Sequence, residues 1–177
     1  NFAGYGDPLD RDPAAVGRDL SEGQMTTRDA FDVYGVVVVE DGTIDEEKTA
    51  EERGDRRRRR LQDSLPPREV RGLVEPGAAL ERRAIGDKLG ALRTADGVRY
   101  ACTCGQDLGP VEADFKNSCA VKESPVHSIG PGYETFATDI IARMCFREFF
   151  CPQCGARLAT EVVRKGDSYL WDIALRL

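Results

Sequence analysis

The stretches Cys102-Thr103-Cys104-Gly105 and Cys151-Pro152-Gln153-Cys154-Gly155 decide the fold of the second half of this chain. Each is a close pair of thiols followed by glycine, which is the pattern of one half of a four-thiolate zinc site. Four sulfurs fill every position of tetrahedral zinc, whereas catalytic zinc normally keeps one position open for water or substrate. We therefore predict that Cys102, Cys104, Cys151 and Cys154 hold a structural zinc ion.

The remaining cysteines and the histidine form a weaker candidate site. Cys119 and Cys145 have no close thiol neighbour in the sequence, and free cysteine commonly fills core positions. Together with His127, the only histidine of the chain, they would make a three-ligand site only if the fold gathered them. A lone histidine in a turn-like stretch is more often a surface residue than a general base.

The sequence predicts no catalytic residue and no cofactor-binding residue of its own. It contains no nucleophile elbow, P-loop, dinucleotide fingerprint or HExxH motif. The metal site is thus the one piece of chemistry that the residues indicate.

Composition limits the class of protein. The chain has 177 residues, 41% of them hydrophobic, with a net charge of -6 and a pI near 5.0. This length allows one domain or two small ones, and the acidic balance argues against a general nucleic-acid or anionic-membrane binder. No stretch approaches the roughly 20 apolar residues of a membrane helix. The clustered cysteines favour reduced, metal-binding thiols, so we expect a cytoplasmic protein.

Residues 1–60 are predicted to form a short helical and strand docking segment. Asp12-Pro13 and Thr26-Thr27 are typical helix starts, and Gly23 and Gly35 are expected to end the two helices. The β-branched residues 36–39 predict a buried strand. Elements this small cannot close a core alone, so we expect the segment to pack on another body.

An acidic-to-basic run follows and ends in five consecutive arginines, Arg56 to Arg60. Acidic residues at the start and basic residues at the end suit the dipole of an exposed helix. An alternative is an arginine patch that docks on an acidic partner or a phosphate-rich ligand. Residues 61–83 contain three prolines and are predicted to form a linker.

Residues 84–177 are predicted to form a zinc-binding β domain. Residues 88–93 and 98–102 flank Ala95-Asp96-Gly97, a hairpin signal, and residues 144–150 form another strand candidate. Residues 135–141 are expected to form one or two helical turns. Residues 157–164 and 168–175 are expected to form a terminal hairpin. The fold class is therefore α+β: the docking segment, then a small, mainly antiparallel β domain of zinc-ribbon type.

Longer stretches surround both thiol pairs: Arg99-Tyr100-Ala101-Cys102-Thr103-Cys104-Gly105-Gln106-Asp107-Leu108 and Arg147-Glu148-Phe149-Phe150-Cys151-Pro152-Gln153-Cys154-Gly155. Both resemble the characteristic sequence motifs of the small gamma subunit of acetone carboxylase and its acetophenone carboxylase relatives. Asp114-Phe115-Lys116-Asn117 is similar to the middle segment of that family. The resemblance covers roughly residues 84–163.

The first half resembles a different family. Gly4-Tyr5-Gly6-Asp7-Pro8-Leu9-Asp10-Arg11-Asp12-Pro13, Val33-Tyr34-Gly35-Val36-Val37 and Asp41-Gly42-Thr43-Ile44-Asp45 are similar to the C-terminal end of hydantoinase B and oxoprolinase-type subunits. In those proteins the segment ends a large subunit of a catalytic complex. The resemblance implies that residues 1–60 dock on a large partner, and that the chain is a fusion or part of a split large subunit.

Together the resemblances imply an accessory, non-catalytic zinc subunit of an ATP-dependent, biotin-independent ketone carboxylase, a ligase that joins bicarbonate to a ketone to give a 3-oxo acid. ATP and bicarbonate would bind at large hydantoinase A/B-like partner subunits of a hetero-oligomer. The length and the N-terminal half favour an acetophenone carboxylase-like complex. Two alternatives are the small subunit of a hydantoinase or lactamase-type amidohydrolase complex, and a zinc-ribbon nucleic-acid-binding module that uses Arg56 to Arg60.

Overall fold

The computed structural model describes residues 6–75, 81–129 and 142–173. Within these described residues, three α-helices come first and two antiparallel sheets follow, which confirms the predicted α+β class with its cysteine-bearing β region. In the described part of the chain, no helix combines the length and the apolar character needed to cross a membrane.

The helices begin and end where the sequence places their caps. Helix α1 (Pro13–Ser21) starts at Asp12, whose carboxylate accepts from the Ala14 N–H, and helix α2 (Thr27–Tyr34) starts with a capping box. Gly35 ends α2 with a φ of 63°, a left-handed conformation that glycine adopts without steric cost. Helix α3 (Glu46–Gln62) starts at Asp45 and carries acidic residues in its first turn and arginines in its last.

A small apolar cluster holds the N-terminal helices together. Its buried members are Val16, Ala30 and Val36, with partly buried neighbours around them. The predicted strand at residues 36–39 is wrong: Val38 makes only an isolated bridge to Ile44. The Val37 N–H donates to the Thr49 hydroxyl on α3, and the only strand-like pairing is the short turn in which Val39 bonds to Thr43 and Asp45 bonds to Val37, so the described residues 36–39 form no strand.

The arginine run of α3 is engaged inside the chain. Each of the five arginines has an acidic partner: Arg56 and Arg59 contact Glu52, Arg57 contacts Asp10, Arg58 contacts Asp55, and Arg60 contacts Asp7. Arg58 and Arg59 are exposed, as expected for a solvated helix, but Arg57 and Arg60 are partly buried against the rest of the chain. One side of α3 is therefore an internal contact surface.

The β region contains two antiparallel sheets. The first has four strands in the order β1 (Glu81–Ala84), β2 (Leu89–Thr94), β3 (Gly97–Cys102) and β4 (Asp107–Pro110). The second has three strands in the order β5 (Ala120–Pro125), β6 (Met144–Phe150) and β7 (Arg157–Arg164). The predicted β2–β3 hairpin and the β6 strand are present, whereas β5 was not predicted because residues 120–125 alternate poorly in hydrophobicity.

The predicted terminal hairpin is half right. β7 matches residues 157–164, but it pairs with β6, and residues 168–173 form no strand. The backbone of this segment bonds to a buried carboxylate instead of to a neighbouring strand: the Leu170 N–H donates to Glu161 at 3.1 Å. The helical turns expected at residues 135–141 lie outside the described residues.

The segment between α3 and β1 runs along both sheets. Leu65 exchanges two backbone hydrogen bonds with Val121 of β5, at 2.8 and 3.0 Å. Further along, the Asp107 N–H of β4 donates to the Gly72 carbonyl, and the Val74 N–H donates to the Gly105 carbonyl. Residues 63–75 are thus hydrogen-bonded to the β region, while the domain boundaries at 60 and 84 stay a prediction.

The main core lies between the two sheets. It includes Tyr100 of β3 and Phe149 of β6, with Phe115 from the connection between the sheets. The ring centroids of Tyr100 and Phe115 are 5.5 Å apart, a typical aromatic contact. Cys102 and Cys151 belong to the same core, so the thiol pairs sit at one end of it.

Candidate metal centre

Two turns, one from each sheet, bring the cysteines together. Cys102 is the last residue of β3 and Cys104 lies in the turn to β4. Cys151 follows β6 and Cys154 lies in the turn to β7. A bulge between Phe149 and Phe150 shifts the strand register immediately before the second turn. The site therefore joins the two sheets.

The four sulfurs have the spacing of a tetrahedral metal site. All of them lie within 4.8 Å of one another. The Cys102 and Cys154 sulfurs are 3.7 Å apart, and the Cys104 and Cys151 sulfurs are 3.6 Å apart. Zinc–sulfur bonds of about 2.3 Å place neighbouring sulfurs of a tetrahedron about 3.8 Å apart. The donor set and its dimensions thus fit a thiophilic ion such as zinc.

Both turns are closed by equivalent backbone hydrogen bonds. The Gly105 N–H donates to the Cys102 carbonyl at 3.0 Å, and the Gly155 N–H donates to the Cys151 carbonyl at 2.9 Å. Gly105 and Gly155 have φ values of 93° and 68°, which L side chains rarely adopt. The shorter Cys-x-Cys spacing therefore still forms a turn that resembles the Cys-x-x-Cys one.

The thiols perturb one another strongly. Hydrogen bonds from the Cys151 and Cys154 thiols lower the pKa of Cys102, and the hydrogen bond with Cys102 raises the pKa of both Cys151 and Cys154. Thiolates this close cannot all ionise unless a cation compensates their charge. The cluster is electrostatically suited to a divalent cation.

The second candidate site is not assembled. Cys119 is buried and its thiol donates to the Phe115 carbonyl at 3.5 Å; burial raises its pKa. Cys145 is also buried, and His127 is exposed. Among the described residues, the one group with metal-site spacing is the cluster of Cys102, Cys104, Cys151 and Cys154. All six cysteines are free of disulfides.

The surroundings of the first turn come from the segment before the sheets. Gln106 is buried, and its side-chain amide donates to the carbonyls of Arg71 and Gly72, each at 2.9 Å. With the Val74 bond to Gly105, these contacts hold residues 71–74 beside the turn of Cys102 and Cys104. Sequence reasoning missed this contact because nothing local marks a glutamine as buried.

The surroundings of the second turn come from the N-terminal segment. Asp7 is buried, and its carboxylate accepts from the Arg60 guanidinium at 2.6 and 2.9 Å and from the Arg157 N–H at 3.0 Å. Burial alone would raise the pKa of Asp7, but the hydrogen bond and charge of Arg60 lower it below its usual value. Asp7 is therefore a buried, ionised residue that holds the backbone at Arg157, three residues beyond the last cysteine of the site.

A buried charge cluster lies elsewhere in the second sheet. The side chains of Lys116, Arg147 and Glu161 are almost fully buried, and Glu161 contacts both cations, at 3.2 and 3.0 Å. Lys116 also contacts Asp172 at 2.9 Å and the Leu170 carbonyl at 2.7 Å. Arg147 pairs with Glu123 as well. Every charge in the cluster has a partner, which indicates a structural role.

A family model and a known protein are similar to this chain. A family model described as acetone carboxylase gamma subunit matches residues 84–177, the region that contains strands β2 to β7. An acetone carboxylase alpha subunit from Xanthobacter autotrophicus (strain ATCC BAA-1158 / Py2) is 37% identical over 136 residues, which cover 72% of this chain. The chain spans only 16% of the length of that relative.

The two matches overlap in this chain. Residues 84–177 make up little more than half of the sequence, whereas the match to the alpha subunit covers 72% of it. The second match must therefore include residues on both sides of position 84. Part of the sequence before residue 84 and part of the cysteine-bearing region therefore occur together in the relative.

Proposed function

The chain belongs to the acetone carboxylase gamma subunit family, and from that membership we propose that it is a zinc-binding, non-catalytic component of a ketone carboxylase. The observation that carries the proposal is the tetrahedral spacing of four cysteine sulfurs inside the matched region. We assign Cys102, Cys104, Cys151 and Cys154 as the zinc ligands.

The donor set supports a structural zinc ion. Four thiolates complete the coordination of zinc and leave no position for a substrate. Three of the sulfurs belong to buried or half-buried residues, and the backbone of each turn accepts a hydrogen bond from another part of the chain: Gly105 from the Val74 N–H and Gly155 from the Arg60 side chain. The bound ion would join the two sheets and stabilise the fold.

The carboxylation chemistry is assigned to partner subunits. The sequence has no P-loop or other phosphate-binding motif. We propose that ATP and bicarbonate bind at large, hydantoinase A/B-like subunits of the complex, and that this cytoplasmic chain contributes a scaffold. The substrate is a ketone, and because part of the sequence before residue 84 has a counterpart in an acetone carboxylase chain, that part does not distinguish an acetone-type from an acetophenone-type substrate.

The match to an alpha subunit supports a close relation to a large chain. That relative contains counterparts of residues on both sides of position 84, so part of the sequence before the family match and part of the cysteine-bearing region lie together in one long chain there. We propose that these parts serve the same complex whether they are carried on a separate chain or within a longer one.

Purification of the native complex tests the proposal. We expect the affinity-tagged chain to retain one equivalent of zinc and to copurify with large hydantoinase-like subunits. The complex should incorporate labelled bicarbonate into a ketone only when ATP is present. A monomeric chain without partners would contradict the subunit role, and ATP-independent ring opening of a cyclic amide would indicate an amidohydrolase complex instead.

Binding to nucleic acid is the less favoured alternative. The arginines that such binding would need are already paired with carboxylates of the same chain. The net charge of -6 also opposes association with a polyanion. We expect no salt-sensitive binding to DNA or RNA in a titration.

A further inference from the structure

The second cysteine turn lies against the N-terminal segment. The Arg60 guanidinium of α3 donates to the Gly155 carbonyl at 3.3 Å and lies 5.2 Å from the centroid of the Phe150 ring. Phe150 and Gly155 are the residues on either side of Cys151-Pro152-Gln153-Cys154. Arg60 thus spans the turn that presents two of the four sulfurs.

The fit between α3 and this turn is close. A Cβ atom added to Gly155 would lie 2.7 Å from the Arg57 carbonyl oxygen, closer than real Cβ contacts allow. Glycine is needed here for the approach of the helix as well as for its left-handed φ of 68°. The conformation of the turn and the position of α3 against it therefore depend on each other.

Asp7 completes the contact from the other side. Its carboxylate bridges Arg60 and the Arg157 N–H, which follows the turn, and the Arg157 side chain donates to the Gly6 carbonyl at 3.0 Å. The Asp7 side chain is fully buried. Loss of either partner would leave a buried charge uncompensated, which is strongly unfavourable.

We propose that Asp7, Arg60, Gly155 and Arg157, here named the Asp7 cluster, couple metal binding at the cysteine turns to the docking of the N-terminal segment. An ion bound by Cys151 and Cys154 holds the backbone of residues 151–157 in the conformation that presents the Gly155 carbonyl and the Arg157 N–H. Those two groups are what Arg60 and Asp7 bind. By linkage, the docked segment must in turn favour the metal-bound turn to the same extent.

The inference rests on the zinc site of the proposed function and extends it. It makes Asp7 and Arg60 positioning residues for the metal site, although they lie far from the cysteines in the sequence. Outer residues that orient metal-binding groups commonly change affinity by about 10- to 100-fold when they are replaced.

Zinc competition with a chromophoric chelator tests the coupling in the full chain. We expect Asp7→Asn and Arg60→Gln each to raise the zinc dissociation constant about tenfold. Arg58→Gln is the matched control, because Arg58 lies on the same helix but is exposed and contacts Asp55. It should leave the constant unchanged. Wild-type affinity in both Asp7→Asn and Arg60→Gln would overturn the proposal.

Hydrogen exchange supplies a second readout, first on the wild-type chain and then on one variant. We expect amides of residues 6–22 and 46–62 to exchange faster when zinc is removed from the wild-type chain. In zinc-loaded Arg60→Gln, the same amides should exchange faster while those of β3 and β6 stay protected. Equal amide exchange rates in the N-terminal segment with and without zinc would overturn the coupling.

Metal analysis separates this inference from the proposed function. A wild-type chain that binds no zinc would overturn both the zinc assignment and the coupling. Stoichiometric zinc with unchanged affinity in the two variants would overturn the coupling alone. Zinc binding with the expected variant effects, but without copurifying subunits, would support the coupling and contradict only the role in a complex.

Discussion

At the scale of single residues, the cysteines differ in a way that their sequence context indicates. The four in close pairs lie within 4.8 Å of one another, whereas Cys119 is fully buried and bonded to a backbone carbonyl. Proximity of two thiols along the chain with a following glycine forms a turn that aims both sulfurs to one side. An isolated cysteine lacks that constraint and becomes a core residue.

Replacement of a single ligand should remove the metal. We expect Cys151→Ser to lose zinc and to unfold the β region, because binding free energy at such a site is largely folding free energy. Cys119→Ser is the control, since serine can still donate to the Phe115 carbonyl and the residue lies outside the metal cluster. Zinc content by elemental analysis and circular dichroism measure the outcome. A Cys151→Ser protein that keeps both zinc and fold would refute the ligand assignment.

At the scale of elements, buried charges decide where the C-terminal segment goes. β7 carries Glu161, which binds Lys116 and Arg147 and also accepts from the Leu170 N–H. Residues 168–173 therefore bond to these buried charged groups through the backbone of Leu170 and do not form the expected hairpin strand. A pattern of alternating side chains could not reveal this, because the competing partners lie on the 3-10 helix Phe115–Ser118 and on β6.

Removing the charge of Glu161 should lower the stability of the fold. We expect Glu161→Gln to lower the free energy of unfolding by about 3–5 kcal/mol, since two buried cations lose their shared carboxylate. Glu123→Gln removes a more exposed partner of Arg147 and should cost no more than about 1 kcal/mol. Denaturant unfolding of the zinc-saturated proteins, followed by circular dichroism, compares them. Equal stability of the two variants would mean that the cluster contributes little.

At the scale of the whole molecule, both sheets and the N-terminal segment meet at the turns that carry the four clustered cysteines. The first sheet supplies Cys102 and Cys104, the second supplies Cys151 and Cys154, and the N-terminal segment covers the second turn through Asp7 and α3. The N-terminal segment was expected to need another body to pack on. Within this chain, the N-terminal segment packs on the β region through the contacts of Asp7 and α3. These contacts add to the small apolar cluster inside the N-terminal segment.

Removal of the metal should destabilise the whole arrangement. Apparent zinc-binding free energies of about 10–16 kcal/mol match or exceed the usual stability of a small protein, about 5–15 kcal/mol. We expect a chelator to lower the midpoint of thermal unfolding markedly, and added zinc to restore it. Circular dichroism of the same sample before and after chelation measures the shift. A midpoint that does not respond to chelation would show that the apolar core alone holds the sheets together.

Much of this architecture follows from local chemistry. The helix caps at Asp12 and Thr26, the β2–β3 hairpin and each of the two cysteine pairs are set by residues within a few positions of one another, so short patterns suffice to predict them. The Asp7 cluster has no such signature, because its bond to Arg157 joins residues 150 positions apart. A buried aspartate and an arginine in a charged run look like surface residues until folding removes water from between them, and then each needs the other as a counter-charge.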